Sequence, residues 1–334
     1  MIPTERNKRI EILDYLRGFA LLGIILVNIL PLLSVMSPSP HSSDAVYQRF
    51  LYLFVEGRFY PIFSFLFGVG FYLFISRANA KGENGYLLFL RRILALFVFG
   101  FVHLLFHPGE ALTVYASCGL MILPFYKVKK EVNLVLGGIL LIVLAIFAAK
   151  VFMALPLILL GLAAGQYQVF EDISQKVRKV TIFTVIMFTL SIAGLCCQYQ
   201  YVPNLPFVAG KTNSIPTMRF LQIGIMAGPF ISAFYAGILI LLLQFSVIQK
   251  VLSPLKSYGR MALSNYVSQT ALILLAGKLF NWFGHIPYQQ TLYVCLAIYA
   301  IQLIFSKVWL SFFYFGPLEW IWRMITYRRV PPMW

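Results

Sequence analysis

The segment GFALLGIILVNILPLLSVMS, residues 18–37, contains no charged side chain. A stretch of about 20 predominantly apolar residues is what an α-helix needs to cross the hydrocarbon core of a bilayer. Because lipid offers no partner to backbone N–H and C=O groups, such a stretch is stable there only as a helix. The segment therefore predicts a transmembrane helix close to the start of the chain.

Further stretches of the same kind predict an all-α, polytopic transmembrane helix bundle of about ten spans. The predicted spans are residues 18–37, 59–76, 88–106, 109–126, 132–153, 155–170, 180–202, 219–247, 259–281 and 290–315. Residues 45–56 are too polar for a span and predict an interfacial helix.

The composition supports this interpretation. Of the 334 residues, 60% are hydrophobic and only 11% are charged, whereas charged residues make up about a quarter of a soluble domain. This excludes a soluble enzyme and a disordered protein. The net charge of +16 is typical of cytoplasmic loops rather than of a nucleic-acid partner, which we do not expect.

The basic residues are distributed unevenly over the predicted loops. With ten spans, most of the 27 Lys and Arg residues fall in segments on the same side as the N-terminus, an excess that marks the cytoplasmic side. We therefore expect both termini in the cytoplasm. The expected organisation is a cytoplasmic segment 1–17, one transmembrane domain 18–316 and a cytoplasmic amphipathic tail 317–334.

Polar residues open the first span. Asp14 lies about one helical turn before Arg17, at a spacing that allows an ion pair. Asn28 follows Arg17 by about three turns and so shares its face. One interpretation is a polar stripe leading toward the membrane centre. The other is an interfacial ion pair with an Asn that packs between helices.

The hairpin FVHLLFHPGE, residues 101–110, carries His103 and His107 one helical turn apart, and Pro108-Gly109 then ends the helix. Glu110 begins the next helix, where the dipole favours a carboxylate. The turn brings Glu110 toward an imidazole, and a carboxylate-oriented His is suited to general-base catalysis. A polar cap on an outer hairpin is the alternative interpretation.

Amide and hydroxyl side chains are dense in GRMALSNYVSQT, residues 259–270. Ser264, Asn265 and Gln269 predict a lined cavity, although interhelical hydrogen bonding explains them nearly as well. Arg58, before the second span, is a further candidate for that lining, with an exposed interfacial charge as its alternative. The sequence contains no phosphate loop, dinucleotide fingerprint, nucleophile elbow or metal-ligand cluster, and we expect no metal.

Five stretches carry a family signature in order along the chain. They are LDYLRGFALLGIILVN (13–28), FSFLFGVG (63–70), GFVH (100–103), GRMALSNY (259–266) and GPLEWIWR (316–323). In these stretches the chain resembles the YeiB-like bacterial membrane proteins, a family of unknown function. Its hairpin reads GEAL (109–112) where the family usually has Gly-Asp-Ile-Leu, so the carboxylate is kept on a side chain one methylene longer.

The Asp-x-x-Arg-Gly opening also resembles a wider transmembrane acyltransferase superfamily. It includes the lysosomal heparan glucosaminide acetyltransferase and the type 3 O-acyltransferases of bacterial polysaccharides. The resemblance implies transfer of an acyl group from cytosolic acyl-CoA to an acceptor across a bacterial plasma membrane. In the type 3 enzymes a His follows the Arg by 11 residues, and Asn28 occupies that place here.

Under this hypothesis His103 is the base, Glu110 assists it, and Asn28 stabilises the oxyanion. Acyl-CoA is the donor substrate, and His41 is the second-choice base. The residues expected to bind the donor are Asp14, Arg17, Arg91, Arg92 and Arg260. We expect membrane lipids and an extracytoplasmic or lipid-linked acceptor as partners, namely a carbohydrate or a small hydroxyl or amine compound, and a homodimer as a further option.

Two other classes of function compete with the acyltransferase. A transporter or flippase would use His103 and Glu110 as an intramembrane proton relay. A non-catalytic sensor or assembly protein would use its polar groups for packing alone.

Overall fold

The computed structural model describes residues 10–207 and 214–334, and within these ranges the fold is all-helical. The α-helices are α1 (Glu11–Leu32), α2 (Ser43–Phe54), α3 (Tyr60–Ala80), α4 (Gly85–Leu104), α5 (Leu112–Ile122), α6 (Lys130–Ile146), α7 (Ala154–Gln166), α8 (Val177–Tyr199), α9 (Ile215–Leu242), α10 (Ser246–Val251), α11 (Ser253–Arg260), α12 (Ala262–Leu279), α13 (Gln290–Phe312) and α14 (Pro317–Tyr327). The first nine residues of the predicted segment 1–17 lie outside the described ranges.

Six helices in the described ranges are long and apolar enough to cross a membrane, which confirms the helical class. They are α1, α3, α4, α9 and α13, together with α8 and the 3-10 turn before it, Ile173–Tyr199. Each remaining predicted span contains a helix, but α5, α6 and α7 are shorter and α12 is more polar. Ten spans and the orientation of the termini stay predictions.

The outer helices turn apolar side chains away from the bundle. Only 11% of the most apolar window of Ile173–Tyr199 is buried inside the protein. On α6, Val135, Ile139 and Ile142 are also exposed, between 54% and 62% of their surface. Apolar faces of this extent need a non-aqueous neighbour, and lipid meets that need in a membrane protein.

Several predicted bounds differ in detail from the structure. The first span, predicted at 18–37, is the helix Glu11–Leu32, so that Asp14 and Arg17 lie inside α1. The predicted span 259–281 is interrupted at Met261, where α11 ends and α12 begins. The turn between the fifth and sixth predicted spans lies at Ala148, whose φ is +52°. Pro156 sits in the first turn of α7, where a missing N–H costs no hydrogen bond.

The structure has a helix, α2, at the predicted interfacial segment 45–56, and its position at the interface stays a prediction. It begins at Ser43, and the hydroxyl of Ser42 accepts a hydrogen bond from the Ala45 N–H. This N-cap satisfies a backbone donor that the first helical turn leaves without a partner.

Close approach of α3 and α7 builds the centre of the bundle. A Cβ on Gly161 would collide with the backbone oxygen of Phe65, and one on Gly68 would collide with the backbone oxygen of Ile158. Small residues let transmembrane helices pack with their backbones in contact, where van der Waals attraction is strongest. The two glycines therefore set the distance between α3 and α7.

Gly161→Ala is expected to lower the free energy of unfolding by about 1–3 kcal/mol, because overpacking against a backbone atom forces the helices apart. The measurement is the melting temperature in detergent, followed by tryptophan fluorescence. Gly138→Ala on α6 is the matched control, since nothing lies within 4 Å of the added Cβ. A Gly161→Ala variant that melts at or above the wild-type temperature would contradict this packing.

Candidate functional site

A large cavity runs along the full length of α1. Its volume is about 1620 Å³, above the roughly 300–1,000 Å³ of an ordinary small-molecule site. Its wall includes Ile10, just before α1, and Ser37, beyond the other end of that helix. Since α1 rises about 1.5 Å per residue, the two ends of the cavity are about 30 Å apart. The cavity therefore connects the two ends of the bundle.

Positive charge dominates the end beside the start of α1, which we call the basic end. Seven basic side chains line it together with three carboxylates. The basic side chains are Arg17, Arg77, Lys81, Arg92, Arg260, Arg323 and Arg329, and the carboxylates are Asp14, Glu83 and Glu319. This charge balance suits an anionic ligand, and guanidinium groups are well shaped for phosphate.

Of the five residues predicted to bind the acyl donor, four line the basic end and one does not. Arg17 Nη1 lies 3.2 Å from the Oδ1 atom of buried Asp14, which confirms their predicted pairing. Arg92 and Arg260 line the same cavity. Arg91 instead lies in a separate small pocket with Arg329, since adjacent residues on a helix do not face the same way.

Helix α14 closes over the basic end. The Arg92 guanidinium carbon lies 3.5 Å from the centre of the Trp322 ring and 5.0 Å from that of Phe74. The Trp322 indole N–H donates to the Arg92 backbone oxygen at 2.7 Å. Cation–π contacts of this kind hold a cation without consuming its hydrogen bonds.

Glu319 of α14 caps the N-terminus of α12. Its carboxylate accepts from the Leu263 N–H at 2.7 Å, the Ser264 N–H at 3.1 Å and the Ser264 hydroxyl at 2.5 Å. The break at Met261 creates this helix start, whose dipole favours a negative charge. Burial raises the pKa of the Glu319 carboxyl above its ordinary value, and the capping hydrogen bonds oppose that rise.

The other end of the cavity, which we call the histidine end, contains His107 and Glu110. Asn28 lines the wall of the same cavity in the second half of α1. His103 is 3% exposed and does not line the cavity. Its ring lies behind that of His107, with the two ring centres 5.4 Å apart.

Glu110 is held by the helix that follows it. Its carboxylate accepts from the Leu112 N–H at 2.6 Å, the Thr113 N–H at 2.8 Å and the Thr113 hydroxyl. These three donors, together with the dipole at the start of α5, favour the ionised form of the carboxylate. The carboxylate is therefore charged at neutral pH.

Thr270 of α12 connects the two imidazoles. Its hydroxyl oxygen lies 2.9 Å from His103 Nε2 and 3.4 Å from His107 Nδ1. On the other side of the His103 ring, Nδ1 lies 3.8 Å from a Glu110 carboxylate oxygen. Burial, and then the neighbouring His103, lower the pKa of His107 to about 4, so its imidazole is neutral at pH 7.

The chain matches one family model and several curated relatives. Residues 164–329 match the family model described as protein of unknown function DUF418. An uncharacterized 39.9 kDa protein in the amylase 3′ region of Bacillus acidopullulyticus is 65% identical, over 100% of this chain and 98% of that protein. YxaH of Bacillus subtilis is 25% identical over 99% of this chain and 97% of its own. YeiB of Escherichia coli is 25% identical over 98% of both.

The chain belongs to the YeiB-like family. The match to YeiB over nearly its full length and the match to a family model of unknown function confirm the resemblance seen in the sequence. No solved structure matches the chain. In the described parts of this YeiB-like protein, no group of three or more His, Cys, Asp or Glu side chains is placed to hold a metal ion.

The α12 residues that were predicted to line a cavity do not line it and are buried between helices. Asn265 donates to the Tyr258 backbone oxygen and to the Ser306 hydroxyl, each at 2.9 Å. Gln269 donates to the Tyr258 hydroxyl at 2.5 Å. Ser264 bonds to Glu319, as described above. The sequence left interhelical hydrogen bonding open as the alternative, and these contacts are of that kind.

Arg58 of the YeiB-like protein is fully buried and does not line the cavity. Its Nε and Nη2 donate to the Leu53 backbone oxygen at the end of α2, at 3.3 and 3.2 Å. Nη2 also donates to Gln198 on α8 at 2.8 Å, and Nη1 donates to the backbone oxygen of Gly224 on α9. Arg58 therefore joins three helices.

Sequence reasoning missed Thr270 and four basic residues of the basic end, namely Arg77, Lys81, Arg323 and Arg329. Thr270 resembles any other hydroxyl of α12 in the sequence, and only the packing of α12 against the end of α4 brings it between the imidazoles. Arg77 and Arg329 line the same cavity as Arg17 because α3 ends, and the tail after α14 begins, at the basic end. No local pattern reports such contacts.

Arg58→Lys is expected to lower the melting temperature in detergent strongly. Lysine keeps the charge but cannot reach all three helices, and each hydrogen bond to a charged group contributes about 1.5–3 kcal/mol. Arg49→Lys is the matched control, because within residues 10–207 and 214–334 the Arg49 side chain donates to one acceptor, the Asn204 backbone oxygen, in an exposed contact. Equal melting temperatures for the two variants would contradict a structural role for Arg58.

Proposed function

We propose that this YeiB-like protein is an acyltransferase of the bacterial plasma membrane. It would move an acyl group from cytosolic acyl-CoA to an extracytoplasmic or lipid-linked acceptor, namely a carbohydrate or a small hydroxyl or amine compound. The observation that carries the proposal is one cavity with cations at one end and an imidazole at the other. Transfer across a membrane needs a binding site for the anionic donor and a base in the same passage.

The donor would enter at the basic end, which we assign to the cytoplasm together with both termini, in a bundle of about ten spans. Arg17, Arg92 and Arg260 would bind the phosphates of acyl-CoA, and Asp14 would orient Arg17. Asn28 lies about 16 Å farther along α1 than Arg17. The acyl-carrying arm would cover that distance, and the Asn28 amide would donate a hydrogen bond to the oxyanion.

The base would be His107 rather than His103, because His107 is the imidazole on the cavity wall. His107 would take the proton of the acceptor hydroxyl or amine as the acceptor attacks the thioester carbonyl. The carbon–sulfur bond then breaks, and the CoA thiolate leaves and takes the proton back from the imidazolium. A neutral imidazole at pH 7 is the form that this step requires.

A transporter or flippase is the second candidate, since a cavity between both ends of the bundle also suits passage of a solute or lipid. It would use the imidazoles and Glu110 as a proton relay. Transport of a substrate without any acyl donor distinguishes it from the transferase. The homodimer and the lipid contacts stay predictions under either function.

Purified protein is expected to be stabilised by one or more acyl-CoAs in a saturable way. A ligand at about 100 times its Kd stabilises the folded state by about 2.7 kcal/mol. Arg17→Ala should abolish the thermal shift, whereas Arg91→Ala should retain it, since Arg91 lies outside the cavity. If no acyl-CoA stabilises the folded wild type, or if both variants respond alike, the donor site is wrong and flux without a donor becomes the assay.

His107→Ala is expected to reduce acyl transfer in proteoliposomes by roughly 10²–10⁴-fold, the usual contribution of a general base. His285→Ala is the control, because His285 is an exposed imidazole outside the cavity. Full transfer by a folded His107→Ala variant would refute the assignment of the base.

A further inference from the structure

Four buried side chains form a row that runs from Glu110 to His107. The order is Glu110, His103, Thr270, His107, and each is 5% exposed or less. Only the two outer members, Glu110 and His107, line the cavity. The separations along the row are 3.8, 2.9 and 3.4 Å.

Glu110 determines which ring nitrogen of His103 carries the proton. An ionised carboxylate is an acceptor only, and both of its oxygens already receive hydrogen bonds from the start of α5. At 3.8 Å, its effect on His103 Nδ1 is electrostatic rather than a direct hydrogen bond. A lone pair on Nδ1 would face negative charge there, so Nδ1 carries the proton. His103 Nε2 is then an acceptor.

Thr270 in turn determines which ring nitrogen of His107 carries the proton. A hydroxyl has one hydrogen to donate and lone pairs to accept. If the Thr270 hydroxyl donates to His103 Nε2, the oxygen is left to accept from His107 Nδ1–H. In neutral His107 the other nitrogen, Nε2, then has a lone pair and no proton.

We infer that Thr270 is a positioning residue that fixes His107 in the Nδ1–H tautomer, with the basic Nε2 lone pair available to the cavity. Histidine in water favours the opposite tautomer, Nε2–H, which would offer the cavity a donor instead of a base. The inference rests on the proposed function only for its catalytic consequence. The tautomer itself is a property of the protein without any substrate.

The test is ¹⁵N NMR of the protein labelled at the histidine ring nitrogens, in detergent micelles without a donor. The chain has four histidines, and His41→Gln, His285→Gln and His107→Gln variants assign the signals. Protonated and unprotonated ring nitrogens of a neutral imidazole differ widely in chemical shift. The expected result is a protonated Nδ1 and an unprotonated Nε2 in His107.

Thr270→Val removes the hydroxyl at nearly constant shape and is expected to move His107 toward the Nε2–H tautomer. Thr270→Ser keeps the hydroxyl and should restore the wild-type signals, which a purely structural role would not require. Glu110→Gln removes the charge but keeps an oxygen to cap α5, and should give a mixture of tautomers. It serves as the second variant if Thr270→Val does not fold.

Two results would overturn the inference. One is a wild-type His107 in the Nε2–H form, and the other is a folded Thr270→Val variant whose His107 stays in the Nδ1–H form. The NMR result is separate from the transfer assay. The expected tautomer without acyl transfer would refute the proposed function alone, whereas His107-dependent transfer with the opposite tautomer would refute this inference alone.

Discussion

Charged side chains inside this bundle are stabilised by the ends of interrupted helices. Arg58 donates to the Leu53 backbone carbonyl at the end of α2, where the helix dipole favours a cation. Glu110 accepts from the first N–H groups of α5, and Glu319 accepts from those of α12. A buried charge without such partners costs several kcal/mol. The breaks before α5 and α12 therefore supply what the buried carboxylates need.

The same two breaks position both ends of the cavity. The break at Pro108-Gly109 leaves His107 on the cavity wall and turns Glu110 back toward His103. The break at Met261 places Arg260 at the basic end, and the cap on α12 fixes α14 over it. Polar chemistry thus collects where the helices stop, and α1 runs uninterrupted between the two places. The apolar length of α1 separates an anion-binding region from a proton-accepting one.

Much of the fold was predictable because the bilayer imposes one rule on every segment. Apolar stretches such as 18–37 could only be helices, and the polarity of α2 distinguished it from a span. The break inside 259–281 was not predictable, because Glu319, which caps α12, lies far along the chain. In the site, the pairing of Asp14 with Arg17 followed from helical spacing. His103 and His107 both fit the hairpin pattern, and which one reaches the cavity depends on how α4 rotates against α12.

Both proposed functions require the histidine end and the basic end of the cavity to lie at opposite faces of the membrane. Cysteine accessibility tests it most directly, in a background whose four native cysteines are replaced. Ser37→Cys and Lys81→Cys place thiols on the cavity wall at the histidine end and the basic end. In right-side-out and inverted vesicles, an impermeant thiol reagent should label the first only from outside and the second only from the cytoplasmic side. Labelling of both from the same side would contradict the account.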